Sequence, residues 1–402
     1  MKQKRVLFLG GAYAQIPIIR EAKNRGWYII TCDYLPDNPG HQLADEYYNV
    51  STTDTEKVLE LAKKIKSDFV VAYASDPAAP VAAYVSEKLG LLGNSYDSVR
   101  LLSEKDLFRD FLSKNGFNTP KSVSIKENNI DFEKISELQF PVIVKPTDSS
   151  GSKGVSKVEN INDIQQSIQY ALSFSRKEKV IIEEFIDNDI ADIHGDGFVV
   201  DGKLVFSCLG DHIYNGKVNP FNPTGTTWPA KQPKKIIKEI EKEVAKVIQL
   251  SSFTNGPINI EARINHQGKY FIMEIGPRNG GHFVPQAIQY ATGFNMVKAY
   301  LDLLDGKKID SNYSEIKPSS YFALHSDKDG ILNSVDINEK LKPFIKEFHQ
   351  YIQPGQPVKS FQGANAAIGI LLLTFSSVNE MDSYISNMSN FVKITLKENP
   401  WQ

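Results

Sequence analysis

The sequence predicts an α/β leading unit built on a parallel sheet, followed by an α+β body whose small antiparallel sheets carry the chemistry. Three observations support this. Short apolar strands alternate with helices over the first hundred residues, a second cluster of short strands runs from Ser122 to about Ile186, and a long hairpin of apolar and acidic residues occupies 258–275. The chain has 402 residues, which at about 150 residues per domain suggests two to three domains. With 41% hydrophobic and 23% charged residues it has the composition of an ordinary globular protein. Lys+Arg 46 against Asp+Glu 48 leaves a net charge of −2. No global basic field recruits nucleic acid or an anionic membrane, and neither is expected as a partner.

Cys32 and Cys208 are far apart and fit neither a disulfide framework nor a metal-binding pair, so both read as small buried apolar residues. Met1-Lys2-Gln3-Lys4-Arg5 puts basic residues ahead of Val6-Leu7-Phe8-Leu9. That apolar run ends at Gly10-Gly11, too soon for a secretory segment or a membrane span. The expected location is cytoplasmic and reducing.

In order, strands are expected at 6–9, 28–32 and 69–73, with helices at 14–24, 56–64 and 80–89. This βαβαβ rhythm places Gly10, Gly11, Asp33 and Asp76 at the carboxyl ends of strands, where such sheets bind ligands. Gly10-Gly11-Ala12-Tyr13-Ala14-Gln15 lacks the G-x-G-x-x-G spacing of a dinucleotide site, so the glycines read as a tight turn, with Gly11 kept as a candidate substrate contact. Asp76, followed by Pro77, either caps the next helix or meets substrate. A charged helical stretch at 98–115 contains Lys105. Strands at 122–125, 142–145, 154–158 and 180–184 surround a helix at 161–174. Strands at 197–200 and 204–209 and a helix at 234–250 follow. The last ninety residues hold strands, a Pro/Gly-rich turn at 353–357 and a closing helix near 380–389.

Three motifs carry chemistry. Pro141-Val142-Ile143-Val144-Lys145-Pro146 is an apolar strand with one lysine, followed by Ser149-Ser150-Gly151-Ser152-Lys153-Gly154-Val155. Such a loop lets backbone N–H groups fold over phosphate oxygens, although alone it reads equally as a hairpin turn. Lys145 would act as a point charge, since leaving it buried and unpaired would be costly. Val180-Ile181-Ile182-Glu183-Glu184-Phe185-Ile186 is an apolar strand ending where a purine could meet both an apolar wall and backbone polar groups.

The third motif is the hairpin, with its turn at Asn265-His266-Gln267-Gly268. Alternation puts Ile258, Ile260, Ala262 and Ile264 on one face, with Phe271, Met273 and Ile275 opposite. A register pairing Ile264 with Lys269 makes Glu261 and Glu274 diagonal neighbours and sets Asn259 across from Glu274. Two carboxylates so close call for a bridging cation, and Mg²⁺ suits oxygen ligands. A solvated polar face with Arg263 neutralising a glutamate is the alternative. Gly276-Pro277-Arg278-Asn279-Gly280-Gly281-His282 then places a planar cation beside the acids, suited to charge on a transferring phosphoryl group. His282 is either a turn residue or a substrate contact. Asp211-His212-Ile213-Tyr214 and residues 224–228 hint at a small polar substrate.

In order and spacing these motifs resemble the ATP-grasp superfamily, specifically its carboxylate–amine ligase branch, with biotin carboxylase, carbamoyl-phosphate synthase and D-alanine–D-alanine ligase more distant. The resemblance rests on Lys105 in Ser103-Glu104-Lys105-Asp106, Lys145, the serine- and glycine-rich loop, Glu183 to Ile186, Glu261, and Glu274 to Arg278. It implies a Rossmann-like domain over 1–97 and an ATP-grasp domain over 98–310 with a lid at about 118–187. Residues 311–402 would complete the large antiparallel subdomain. It implies ATP and Mg²⁺ as cofactors, with Lys105 and Lys145 on the ATP phosphates under a lid of Ser149, Ser150, Gly151, Ser152, Gly154 and Val155. Glu183, Glu184, Phe185 and Ile186 would lie against the nucleotide, with Glu184 and Ile186 framing adenine, and Asp192 would hold the ribose. Glu261 and Glu274 would ligate Mg²⁺, and Arg278 would steady an acyl phosphate.

The family's Glu-x-Asn-Pro-Arg departs here to Glu274-Ile275-Gly276-Pro277-Arg278, removing an asparagine ligand. Asn259, Asn279 or water would substitute, and a carboxamide introduced at 276 is expected to restore the ligand. The implied reaction joins a small-molecule carboxylate to an amine with release of ADP and phosphate, and leaves a homodimer open. The rival readings are a bicarbonate-activating carboxylase of the same superfamily and a nucleotide-binding regulatory protein without turnover.

Overall fold

The computed structural model describes residues 3–127, 129–188 and 192–397. The leading unit is a parallel four-stranded sheet in the order Glu46–Tyr48, Tyr28–Cys32, Arg5–Leu9, Phe69–Val71. Val6 to Leu9 are almost fully buried, as expected of a strand covered on both faces. Helices Ile16–Asn24 and Thr55–Ile65 turn apolar stripes toward it, and Asp54 caps the second by accepting from the Lys57 N–H. Gly11 is buried in this turn. A side chain there would lie 2.4 Å from His41, because the 39–43 segment folds back until the Gly40 N–H meets the Gly11 carbonyl. Gly11 is thus held by packing and lies outside the cleft lining, whereas its neighbours Ala12, Tyr13 and Ala14 face the cleft.

The 98–115 stretch is two helices, Tyr96–Ser103 and Lys105–Lys114, broken where Glu104 adopts an extended conformation. Lys105 therefore opens a helix instead of lying inside one. Four antiparallel strands follow, in the order Ser122–Lys126, Lys179–Glu184, Val142–Pro146, Ser156–Val158. They and the Ile164–Leu172 helix enclose their own core of Ile125, Val142, Val144, Ile168, Val180 and Ile182, which makes this lid a separate packing unit.

The large body is an eight-stranded antiparallel sheet. Its edge is the hairpin Gly256–Ile264 and Tyr270–Gly276, followed inward by Ile193–Val200, Lys203–Tyr214 and Pro223–Trp228. Strands from beyond residue 318 complete it, so the C-terminal region shares this sheet. One core joins the leading helices to the hairpin and to the Lys234–Leu250 helix. The last helix, Val378–Ser386, does not close the fold, because strand Val392–Lys397 follows and pairs with Gly330–Ile337.

Trp228 anchors the middle of the large sheet. It is fully buried, and its indole N–H donates to the Cys208 carbonyl at 3.3 Å. Trp228→Ala is expected to cost roughly 3–5 kcal/mol in urea unfolding, as large core truncations do.

Candidate functional site

A cleft of about 1100 Å³ lies between the lid, the large sheet and the loops of the leading unit. It exceeds the ~300–1,000 Å³ usual for a single small ligand, so a nucleotide and co-substrates fit together. Lys145, at the end of an apolar lid strand, puts its ammonium on Glu183. Glu183 is fully buried and also accepts from Arg109 Nε at 2.9 Å. Burial pushes the Glu183 carboxyl up, but the charges of Arg109 and Lys145 hold it down to about 2. Glu183 is thus an internal counterion for Lys145 within the cleft lining. Arg109, which sequence reasoning missed, lies one helical turn from Lys105 and also donates to the Met273 carbonyl at 2.8 Å. Its signal was the i,i+4 spacing from Lys105 beside buried Phe108 and Leu112.

Lys105 bridges the lid and the large sheet, donating to the Ser149 carbonyl at 3.0 Å and meeting Glu274 Oε2 at 3.2 Å. Burial pushes this ammonium down, yet Glu274 and Asp76 carry it above its usual range. Ser149, Ser150, Gly151, Ser152 and Val155 line the cleft, and Ser152 Oγ donates to the Phe221 carbonyl at 2.5 Å. Gly154 is instead turned toward Pro146 and Phe174. Glu184, Phe185 and Ile186 form a further stretch of wall with Ile143 and Met273. The Phe185 ring lies beneath the Lys157 ammonium, 4.6 Å from ring centroid to nitrogen.

Asp192, the expected ribose acid, lines the cleft and is already paired with protein groups. Its carboxylate accepts from Arg263 Nε and Nη2 at 2.6 and 2.5 Å, from Tyr214 at 2.9 Å and from Asn188 at 3.1 Å. These fill the roughly four acceptor positions of a carboxylate. Arg263 therefore neutralises this aspartate and not a hairpin glutamate.

The hairpin register also differs. Ile264 pairs with Tyr270, and a bulge between Glu261 and Ala262 leaves Met273 as the extra residue, so Glu261 and Glu274 stand directly opposite each other. Asn259 pairs with Gly276, and Ile272 takes the core position while Met273 faces the cleft. Two facing carboxylates fit Mg²⁺, which commonly takes one or two carboxylates and completes its shell with phosphate oxygens and water. Among the described residues no cluster of three or more His, Cys, Asp or Glu could hold a metal alone. Asn259 hydrogen-bonds through its amide nitrogen to His194 Nε2, the Gly195 carbonyl and Asp196, and these bonds leave aside its Oδ1, the atom that would meet a metal. Asn279 is fully buried outside the cleft lining.

Behind Glu261 lies a second unforeseen group, the stacked rings of His194 and His212 with centroids 4.1 Å apart. Asn259 donates to His194 Nε2 at 3.0 Å, which leaves the proton on Nδ1 for Thr226 Oγ1 at 2.9 Å. The Thr226 hydroxyl can then donate to His212 Nδ1 at 3.1 Å, leaving the His212 proton on Nε2, 3.9 Å from Glu261 Oε1. Position 212 lay in the polar, aromatic stretch noted in the sequence, but its partners come from separate strands.

Arg278 pairs with Asp76 through two bonds of 2.7 Å and donates to the Asn279 carbonyl at 3.0 Å. Burial pushes the Asp76 carboxyl up, but Arg278 and Lys105 hold it below the usual carboxylate range. Its side chain does not cap the following helix. Gly276 has a reason in this pair: a Cβ there would lie 3.2 Å from the Arg278 guanidinium carbon and 3.3 Å from Asp76 Oδ1. A carboxamide at 276 would press on this pair, whose side chains would have to give by a few tenths of an ångström to admit it. His282 lines the cleft, donates from Nε2 to the Ala364 carbonyl at 3.2 Å, and is kept neutral by burial, which pushes its pKa down to about 4.

The parallel leading sheet, the lid and the long antiparallel sheet enclosing one nucleotide-sized cleft define the ATP-grasp fold. Residues 138–286 match the family model of the ATP-grasp domain. It is 29% identical over 191 residues to a formate-dependent phosphoribosylglycinamide formyltransferase of Prochlorococcus marinus (strain NATL2A), covering 46% of this chain and 49% of the relative. The chain spans about half the length of the curated relatives it matches first. A solved L-amino acid ligase from Bacillus licheniformis superposes with a TM-score of 0.83 at 18% identity, over 99% of this chain and 100% of that one. The biotin carboxylase domain of a Hydrogenobacter thermophilus 2-oxoglutarate carboxylase, solved with MgADP and bicarbonate, gives 0.76 at 15%, over 99% and 92%. These structural likenesses concern the fold. Among the described residues no helix is long and apolar enough to cross a membrane.

One buried acid makes a pH test. Asp196 is fully buried, accepting from Asn259 and the Gly280 N–H, and burial pushes its pKa from 3.8 up to about 7. Over that interval the native state keeps a proton that the unfolded chain releases, so this group removes stability as pH rises from about 4 to about 7. Wild type should lose stability relative to Asp196→Asn across that window, at a slope approaching about 1.4 kcal/mol per pH unit, in paired urea titrations. Parallel pH curves would contradict the burial assignment.

Proposed function

We propose that this chain is an ATP-dependent carboxylate–amine ligase. ATP phosphorylates a small-molecule carboxylate, an amine attacks the acyl phosphate, and ADP, phosphate and an amide leave. The observation that carries this reading is the facing Glu261–Glu274 pair, beside Lys105 and within the same cleft as Lys145 and the serine- and glycine-rich lid loop. Mg²⁺, held by the two glutamates, would neutralise phosphate charge when bound. Lys145, already oriented by Glu183, binds the phosphates as a point charge. Lys105 fixes the lid loop against the large sheet. Arg278 keeps two of the five guanidinium N–H groups free of protein partners, enough to meet an acyl-phosphate oxygen. Phe185 and Ile186 supply the apolar wall for adenine, and lid closure excludes water from the acyl phosphate.

The test is ADP release over a matrix of small carboxylates and amines. Release that needs one member of each class supports the reading. Release with bicarbonate alone, or ATP binding with no release across the matrix, would overturn it.

Lys145→Ala should weaken ATP binding roughly ten- to a hundredfold by calorimetry, the ~1.5–3 kcal/mol of a charge-assisted contact. The protein should stay folded, because Glu183 keeps Arg109 as its partner. Glu274→Gln should raise the Mg²⁺ concentration needed for half-maximal ADP release, since it removes charge while keeping shape. An unchanged magnesium curve would place the metal elsewhere.

A further inference from the structure

Among the cleft's ion pairs, Asp76–Arg278 is the one formed between the leading unit and the loop after the second glutamate. It sits where Gly276 leaves room, so a metal-ligand position of the family is here given over to an ion pair. We propose that this pair is a docking plate for the zwitterionic head of an amino acid, with an aromatic wall at Tyr13 and Tyr351 receiving its side chain. This rests on the ligase reading and specifies one of the two co-substrates as an amino acid with an aromatic or large apolar side chain.

The pair has no net charge but two kinds of edge. The Asp76 carboxylate accepts two bonds from Arg278 and faces the Ser150 hydroxyl and the Lys105 ammonium, which leaves it at least one acceptor position, while the guanidinium retains two N–H donors. An ammonium and a carboxylate on one carbon present the matching pattern. The strand leading to Asp76 pairs in parallel with the strand leading to Tyr13, which brings the two loops side by side. Tyr13 stacks on Tyr351 with centroids 4.4 Å apart and planes at 27°. The cleft wall from the leading unit and the C-terminal region continues through Leu35, Asn38, Ile352 and Asn365, which are apolar or amide groups. A phosphomonoester, carrying about −1.5 to −2, would meet a wall whose cation is already matched, and burying that charge unpaired is unfavourable.

The experiment is calorimetric titration of the full chain with Mg²⁺ and a non-hydrolysable ATP analogue present. The ligands are L-phenylalanine, phenethylamine without the carboxylate, 3-phenylpropionate without the ammonium, L-alanine, and O-phosphoethanolamine. L-phenylalanine should bind at least tenfold more tightly than either half-ligand, and O-phosphoethanolamine should not bind measurably. Gly276→Ala, whose methyl group presses on both partners, should weaken L-phenylalanine at least tenfold while nucleotide affinity stays within twofold. Tyr351→Ala should weaken L-phenylalanine more than L-alanine. The plate is overturned if O-phosphoethanolamine or a half-ligand binds as tightly, if Gly276→Ala leaves amino-acid affinity unchanged, or if neither amino acid binds. ADP release with other amines in that last case would leave the ligase reading standing. Failure of the nucleotide to bind would sink the ligase reading instead, and the same titrations without nucleotide would still read the plate.

Discussion

Opposite charges brought together in one cleft are the constraint on which the arrangement of this protein depends. Breaking a buried ion pair by removing one partner costs about 3–5 kcal/mol, because the other charge is left without water or counterion. Here each pair joins segments that the chain separates. Glu183 on a lid strand holds Arg109 from a helix outside the lid, Lys105 reaches Glu274 on the hairpin, and Asp76 of the leading unit holds Arg278. The apolar cores build each unit, and the lid has a core of its own. The ion pairs therefore set much of how the lid and the leading unit face the large sheet.

Much of the fold was legible because the strands and helices announce themselves by period. The Lys234–Leu250 helix has the span its pattern predicts, and the βαβαβ rhythm gives a parallel sheet. What was not legible depends on single backbone residues. Glu104 is an unremarkable helix former in sequence, yet its extended conformation divides one expected helix in two and puts Lys105 at a helix start. Strand Lys203–Tyr214 outruns its apolar core because its last residues pair with strand Pro223–Trp228, a tertiary effect with no local signal.

At the site, residue types were easier to read than partners. Glu261 and Glu274 follow from alternation, but their direct opposition depends on a bulge that leaves no mark in composition. Asp192 has the position of a ribose acid, but its pairing with Arg263 from an adjacent strand has no local signal in the sequence. Gly11 looked like a ligand loop because glycine after a strand fits either reading, and the approach of His41 decides for packing. Glycine at 276 read as a missing ligand, whereas its neighbours make it a vacancy that another pair fills.

Charge counted group by group then divides the cleft. Arg109, Glu183 and Lys145 together leave one positive charge in surplus, which a phosphate chain can use. Lys105 with Glu274 and Glu261 leaves one negative charge in surplus, which suits a divalent cation bound to those phosphates. Asp192–Arg263 and Asp76–Arg278 are each balanced, so the parts of the cleft they floor favour groups that are neutral or zwitterionic. The sequence supplies nearly equal numbers of acids and bases, and the fold sorts them into a cationic, an anionic and two neutral stations. Under the proposed ligase reading, this sorting rather than any single residue would orient the nucleotide, with its phosphates toward Lys145.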